Sequence, residues 1–322
     1  MYRIVSVKIL QSCLTLFLAT VVIFLLIRLA PGDPVEMLLS RSGEIAMIDS
    51  HRFEQKADEL RARYGLDQSV VRQYTVWIQG VTKLDLGVSI YTGRPVIHEI
   101  AARLPATLQL AAAALLVQVV LGLMIGVATA LRAGRGFDQS VRLACVALAS
   151  TPAFVLGLLL LSLVAVTLGL YEISSEASLS RVWLPALTLG LIGSPPLIRV
   201  VRAHMLAELG QLYVLSARAR GLGQRHVVGH ALRNALLPVS TLVGLSLVGL
   251  VSGAVVIESI FSWPGLGKYA LDSILLKDYP SIQGYALVMV GLVIMMNLCM
   301  EALYAVIDPR TRRWRGRVSE DG

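Results

Sequence analysis

Six long stretches without a charged residue constrain this chain more than any other feature of its sequence. The hydrocarbon core of a bilayer is about 30 Å thick, and a helix needs about 20 apolar residues to cross it. Stretches that meet or approach this length cover residues 9–27, 104–131, 143–171, 182–198, 234–257 and 279–300. The sequence therefore predicts an all-α, polytopic membrane protein with six transmembrane helices. The first stretch is too long for a signal peptide and no A-x-A site follows it, so we expect it to remain as an anchor.

The distribution of Lys and Arg predicts how the chain is oriented in the membrane. Six spans place both termini on one side. Basic residues cluster in the N-terminal tail, in the loop after the second stretch, between residues 199 and 233, and in the C-terminal tail. These four regions fall on the same face, so we expect that face and both termini to be cytoplasmic. The net charge of +8 then reflects orientation. A nucleic-acid partner is disfavoured because no stacking aromatics interleave with the arginines.

These spans predict four segments along the chain. Residues 1–30 form the N-terminal tail and first span, and residues 31–103 form a mostly helical external segment. Residues 104–309 form the membrane core, which includes a cytoplasmic loop over 205–233, and residues 310–322 form a basic cytoplasmic tail.

No catalytic motif is present in the sequence. The pattern G-x-x-x-x-G-K-[ST] is absent, and WPGLGKY has the wrong spacing for a phosphate-binding loop. We therefore predict no catalytic residue, no metal site and no cofactor. His226 and His230 could share a helix face, but two solvated histidines are favoured over a metal site. An intramembrane enzyme would need a nucleophile–base or metal set, and an ion-coupled secondary transporter would need carboxylates in mid-span; both alternatives are disfavoured.

The most informative segment is YVLSARARGLGQRHVVGHALRNALLPVST, which begins at Tyr213. A short helix with small residues on one face can enter a groove on a partner protein, and a glycine then permits a tight turn back to the membrane. The segment closely resembles the EAA-type coupling loop of the dipeptide/oligopeptide/nickel permease family of ATP-binding-cassette importers. That family's form reads roughly ARAKGL…HALRNA…P, and this chain has ARARGL…HALRNALLP. It departs from the broader EAA pattern by lacking the leading Glu and by a longer spacing to Pro238.

The resemblance extends over about 300 residues through an ordered series of motifs. They are LAPGDPVE, YGLDQSVVRQY, KLDLGVSI, RPVIHEIAARLPATLQL, ESIFSWPGLGKYALDSILLKDYP and DPRTRR. It implies a type I importer permease in the bacterial inner membrane that works by alternating access. It also implies a second homologous permease, two ATPase subunits and an extracytoplasmic solute-binding protein as partners. The residues expected to couple to the ATPases are Tyr213, Ala217, Arg218, Ala219, Gly221, His230, Arg233, Asn234 and Pro238.

Two further features concern the membrane spans. Glu258 lies at the edge of the fifth stretch, and an ionisable group near hydrocarbon is a functional candidate, so we consider it for the translocation path. The pairs Gly122/Gly126 and Gly249/Gly253 allow close helix approach, and internal packing is favoured over a dimer interface. The transported solute is left open between peptides, nickel, metal chelates and other solutes. A short loop after the third stretch is more typical of nickel-type members.

Overall fold

The computed structural model describes residues 2–29, 35, 39, 50–63 and 65–307, and these residues are almost entirely helical. An isolated antiparallel bridge joins Val88 to Pro95. The α-helices are α1 (Tyr2–Leu29), α2 (Ser50–Arg63), α3 (Val70–Thr82), α4 (Val96–Leu131), α5 (Gly136–Ser150), α6 (Ala153–Leu161), α7 (Trp183–Leu209), α8 (Leu212–Ala219), α9 (Gln224–Ile260), α10 (Leu266–Leu275) and α11 (Tyr279–Ile307). A π-helical turn, Ser162–Thr167, continues α6. The basic tail over 310–322 and most of LAPGDPVE lie outside the described residues.

Five of these helices contain a segment long and apolar enough to cross a membrane. The segments are Val7–Leu29, Val96–Leu131, Trp183–Leu209, Pro238–Ile260 and Tyr279–Glu301. A sixth candidate consists of two helices, Gly136–Ser150 and Ala153–Thr167, which are bent by 102° where they meet. The prediction of an all-α polytopic membrane fold is confirmed, and the six predicted spans are present if the bent pair counts as one.

The bend lies inside the predicted stretch 143–171, which the sequence analysis treated as a simple span. Pro152 has no backbone N–H to donate and restricts the residue before it to extended conformations. Thr151 accordingly has φ −84° and ψ 124°. The Oγ of Ser150 donates to the Val146 carbonyl and the Oγ1 of Thr151 donates to the Ala147 carbonyl, both at 2.9 Å. At the end of α5 both side-chain hydroxyl groups therefore have a hydrogen-bond acceptor in the preceding turn.

The chain divides into two compact units, of which the first contains residues 1–105 and 268–295. A buried carboxylate, Asp278, organises part of this unit. It accepts hydrogen bonds from the Oγ atoms of Ser89 and Ser281, at 2.5 and 2.8 Å, and from the backbone N–H of Ile90 at 3.0 Å. The turn that begins near residue 88 is thereby attached to the start of α11.

The described residues of the second unit lie within 106–267 and 296–307, and the close packing of α4, α7 and α9 forms its core. Glycines bring α4 and α7 together. A Cβ added to Gly122 would lie 2.4 Å from Leu197 Cδ2, and one added to Gly126 would lie 2.7 Å from the Val201 side chain. The predicted internal packing is therefore correct for Gly122 and Gly126.

The pair Gly249/Gly253 differs from this expectation. Both residues are exposed on α9, and beyond the adjoining residues and backbone of α9 itself no described atom lies within 4 Å of a Cβ built at either of them. Within this chain the interpretation as internal packing is wrong for this pair.

We expect Gly122→Ala to destabilise the protein, because the new methyl group overlaps Leu197. Overpacking of this kind costs about 1–3 kcal/mol. Gly249→Ala is the matched control, since it adds the same methyl group to a helix surface with open space. The thermal midpoint of the purified chain in detergent should fall for Gly122→Ala and stay unchanged or rise for Gly249→Ala. Equal midpoints for the two variants would contradict the packing described here.

Candidate functional site

The segment singled out by the sequence forms a separate short helix, α8, between two long helices. Helix α7 ends at Leu209, α8 begins after the extended residue Gln211, and α9 begins after Gly223, which is also extended. The chain therefore leaves one apolar helix, makes eight residues of helix and enters the next.

A glycine ends α8 as the sequence analysis required. Gly221 has φ +76°, in the left-handed region that non-glycine residues adopt at a cost of about 1–2 kcal/mol. Its N–H donates to the Arg218 carbonyl at 2.9 Å, and the Leu222 N–H donates to the Ala217 carbonyl at 3.1 Å. This pair of bonds is a Schellman motif, which satisfies the last carbonyls of the helix and turns the chain sharply. A Cβ at Gly221 would meet no atom within 4 Å, so backbone conformation alone favours glycine here.

A polar cluster attaches the start of α8 to both neighbouring helices. The Tyr213 hydroxyl donates to Glu208 Oε2 at 2.7 Å. The Asn234 Nδ2 donates to the same carboxylate oxygen and to the Tyr213 hydroxyl, each at 3.2 Å. Partial burial and the Glu208 carboxylate raise the pKa of Tyr213, so its hydroxyl remains a neutral donor. The cluster brings together two predicted coupling residues, Tyr213 and Asn234.

The apolar residues of α8 divide between two faces. Val214 and Ala217 are buried against Val227, and Leu209 packs on the same cluster. Leu212 and Leu215 point away from it, with 79% and 64% of their surfaces exposed. Ala217, predicted to dock on a partner, thus packs within its own chain, and the exposed leucines are the apolar surface available to a partner.

The remaining predicted residues lie around this segment. Arg218 and Ala219 are exposed on α8, and His230 and Arg233 are exposed on α9. Pro238 lies within α9, at the residue where its membrane-spanning segment begins. Their roles in coupling stay predictions. The sequence analysis missed Glu208, although its position as a single acid among arginines between 199 and 233 was a usable signal.

Glu258 lies elsewhere in the second unit and is fully buried. Its carboxylate accepts hydrogen bonds from Thr107 Oγ1 and from the Gly267 N–H, both at 2.7 Å. A Cβ at Gly265 would lie 2.2 Å from this carboxylate. The glycines of WPGLGKY therefore make room for an acid of the same chain. A role for Glu258 in the translocation path stays a prediction.

The described residues contain no group of three or more His, Cys, Asp or Glu side chains that could hold a metal ion. The polar clusters in both units instead pair their donors and acceptors with one another.

Comparison with known proteins identifies the family of this chain. Residues 103–313 match the family model described as "Binding-protein-dependent transport system inner membrane component", and residues 1–111 match the model of the corresponding N-terminal region.

Curated relatives match almost the whole chain. The di/tripeptide transport system permease protein DppB of Pseudomonas aeruginosa is 38% identical over 330 residues, which cover 94% of this chain and 96% of that protein. The dipeptide transport system permease protein DppB of Escherichia coli is 34% identical, with 91% and 94% covered. The glutathione transport system permease protein GsiC of Escherichia coli is 35% identical, with 92% and 95% covered. The chain therefore belongs to the family of binding-protein-dependent transport system inner membrane components and is a multi-pass permease of the bacterial inner membrane.

Proposed function

We propose that this chain is a non-catalytic permease subunit of an ATP-driven importer, in which ATP hydrolysis is performed by partner subunits. One observation carries the proposal: α8 is a short, separately folded helix that is fixed at both ends and carries two exposed leucines, Leu212 and Leu215. A second homologous permease, two ATPase subunits and an external solute-binding protein complete the assembly. The solute crosses by alternating access and undergoes no covalent change.

The proposed orientation places α8 and both termini in the cytoplasm and α2 and α3 outside. The excess of arginine around α7, α8 and α9 supports this assignment, because cytoplasmic loops near spans carry the excess of Lys and Arg. The ATPases then meet α8 on the side where ATP is available.

Coupling in this proposal is mechanical. Leu212 and Leu215 enter an apolar groove on an ATPase, and exposed Arg218 lies at the rim of the contact. The Tyr213–Glu208–Asn234 cluster passes the displacement of α8 to α7 and α9, since it bonds to both of them. A helix held only by flexible loops would not transmit its displacement to the neighbouring helices.

The proposed solutes are short peptides. The three relatives described above are named for di/tripeptides, dipeptides and glutathione, all of which carry peptide bonds. The short loop that suggested a nickel-type member is a single feature of ten residues, 172–181, and carries less weight than similarity over more than nine-tenths of the chain.

The orientation is tested by labelling single cysteines with a membrane-impermeant maleimide in spheroplasts. Both chosen positions are exposed, Gln55 on α2 and Gln224 at the start of α9. In a background without the three native cysteines, Gln55→Cys should be labelled directly. Gln224→Cys should be labelled only after the membrane is permeabilised. The reverse pattern, or equal labelling in intact spheroplasts, would contradict the proposed topology.

Coupling is tested at Gly221, where φ is positive and surrounding space is open. Gly221→Val should strain the turn by about 1–2 kcal/mol and misdirect α8. In proteoliposomes with the ATPases and the binding protein, we expect substrate-stimulated ATP hydrolysis to fall about fivefold or more. Gly221→Asn is the matched control and should retain most of the stimulation, because Asn adopts this conformation more readily. Normal stimulation and normal co-purification of the ATPases in Gly221→Val would mean that α8 is not the coupling element.

The solute class is tested in the same reconstituted complex by adding candidate solutes with the binding protein. Di- and tripeptides should stimulate ATP hydrolysis, and Ni²⁺ at the same concentrations should not. Uptake of a radiolabelled dipeptide that depends on ATP would support the assignment directly. Stimulation by Ni²⁺ or a metal chelate without stimulation by any peptide would reject the peptide class while leaving the importer mechanism standing.

A further inference from the structure

Three arginines and a valine line a cavity between α5 and α7. The cavity has a volume of about 440 Å³ and is lined by Arg142 and Val146 on α5 and by Arg199 and Arg202 on α7. Residues four apart or three apart share a helix face, so each helix presents its pair to the same space. We call this cavity the arginine pocket.

One arginine of the pocket is already paired. Arg202 donates from Nε and Nη2 to the two carboxylate oxygens of Asp138, each at 2.7 Å. Asp138 is 1% exposed and also accepts the Gly134 N–H at 3.0 Å. This bidentate pair fixes one wall of the pocket and compensates the charge of Arg202.

The other two arginines are not hydrogen-bonded to Asp138, although Arg142 interacts electrostatically with it. Arg142 and Arg199 are exposed, and neither forms a hydrogen bond or ion pair with another residue in the part of the chain that the structure describes. Three arginines against one aspartate leave two positive charges around the cavity. Such a site favours an anion, and the planar guanidinium groups match the oxygens of a phosphate especially well.

The sequence locates the pocket at the edge of the hydrocarbon. Arg142 directly precedes the uncharged stretch 143–171, and Arg199 directly follows the uncharged stretch 182–198. Apolar surface adjoins the pocket on α5, where Leu143 and Val146 are 72% and 58% exposed. A ligand that fits both features has an anionic head and an apolar body.

We propose that the arginine pocket binds the phosphate headgroup of an anionic phospholipid, with its acyl chains along Leu143 and Val146. Basic pockets between transmembrane helices on the cytoplasmic side are suited to such headgroups. The assignment to the inner leaflet rests on the proposed orientation, whereas binding itself does not. A bound lipid joins α5 to α7 by a contact that supplements the Asp138–Arg202 pair.

The test uses the full-length chain purified in a non-ionic detergent, with bound lipids counted by native mass spectrometry. The probes are phosphatidylglycerol, phosphatidylcholine, glycerol phosphate and a dipeptide. The test variant is Arg142→Gln/Arg199→Gln, which leaves the Asp138–Arg202 pair intact. The control variant is Arg132→Gln/Arg135→Gln, which removes two charges from the neighbouring loop outside the pocket. Thermal midpoints of both variants are measured to exclude misfolding.

We expect phosphatidylglycerol to bind more tightly than phosphatidylcholine. The test variant should weaken this binding about tenfold or more, and the control variant should change it less than about threefold. Equal affinity for the two lipids, or equal weakening in both variants, would overturn the proposal. Competition by glycerol phosphate as effective as by the lipid would assign the pocket to soluble phosphates, and competition by the dipeptide would assign it to the solute; either result also overturns it. Because binding is measured without ATPases or transport, its failure leaves the importer function untouched.

Discussion

The close approach of α4 to α7 is the contact on which the second unit depends. Lipid chains are as apolar as leucine, so helices in a membrane gain little free energy by removing apolar surface from lipid. They associate instead through close van der Waals packing. Gly122 and Gly126 on α4 allow Leu197 and Val201 on α7 to occupy space that a Cβ would fill. Gly190 does the same from α7 toward Val117 on α4. Helix α9 then packs on this pair through Ala231, Ala235 and Val239. The position of α8 follows, since hydrogen bonds of Tyr213 attach it to α7 and α9.

The amino-acid sequence was sufficient to predict five of the spans as single helices, and it also indicated a short helix and a glycine turn in the region of α8. The spans follow from a local property, the absence of charge, whereas the assignment of the α8 segment and of Gly221 rested also on the resemblance to a family. The ends of the helices were not predictable in the same way. A charge-free stretch indicates which residues lie in the hydrocarbon, but not where the helix begins. Helices α4 and α9 begin outside their charge-free stretches, at Val96 and Gln224, in segments that contain charged residues.

The contacts that fix the candidate site escaped prediction for a different reason. Tyr213, Glu208 and Asn234 meet although Glu208 and Asn234 are 26 residues apart, and no sequence pattern specifies that meeting. Ala217 was expected to face a partner because it is small, whereas small size equally suits the tight contact with Val214 and Val227 that the structure has. The bend at Pro152 shows the same ambiguity, because proline within a membrane helix can either kink it or end one segment.

The hydrogen bonds of Glu258 join residues that the ribosome adds at widely separated times. Its carboxylate accepts from Thr107, which lies 151 residues earlier in the chain, and from the Gly267 N–H, which lies 9 residues later. Translation proceeds from the N-terminus, so Thr107 is added 151 residues before Glu258. Gly267, whose N–H also donates to this carboxylate, is added 9 residues after it. Until Gly267 has been made, this carboxyl group lacks one of the two hydrogen bonds described above, and a hydrogen bond that is missing in a buried site is costly. The hydrogen bond from Gly267 can therefore form only after residue 267 has been added, when all the residues of α4 and α9 are already in the chain.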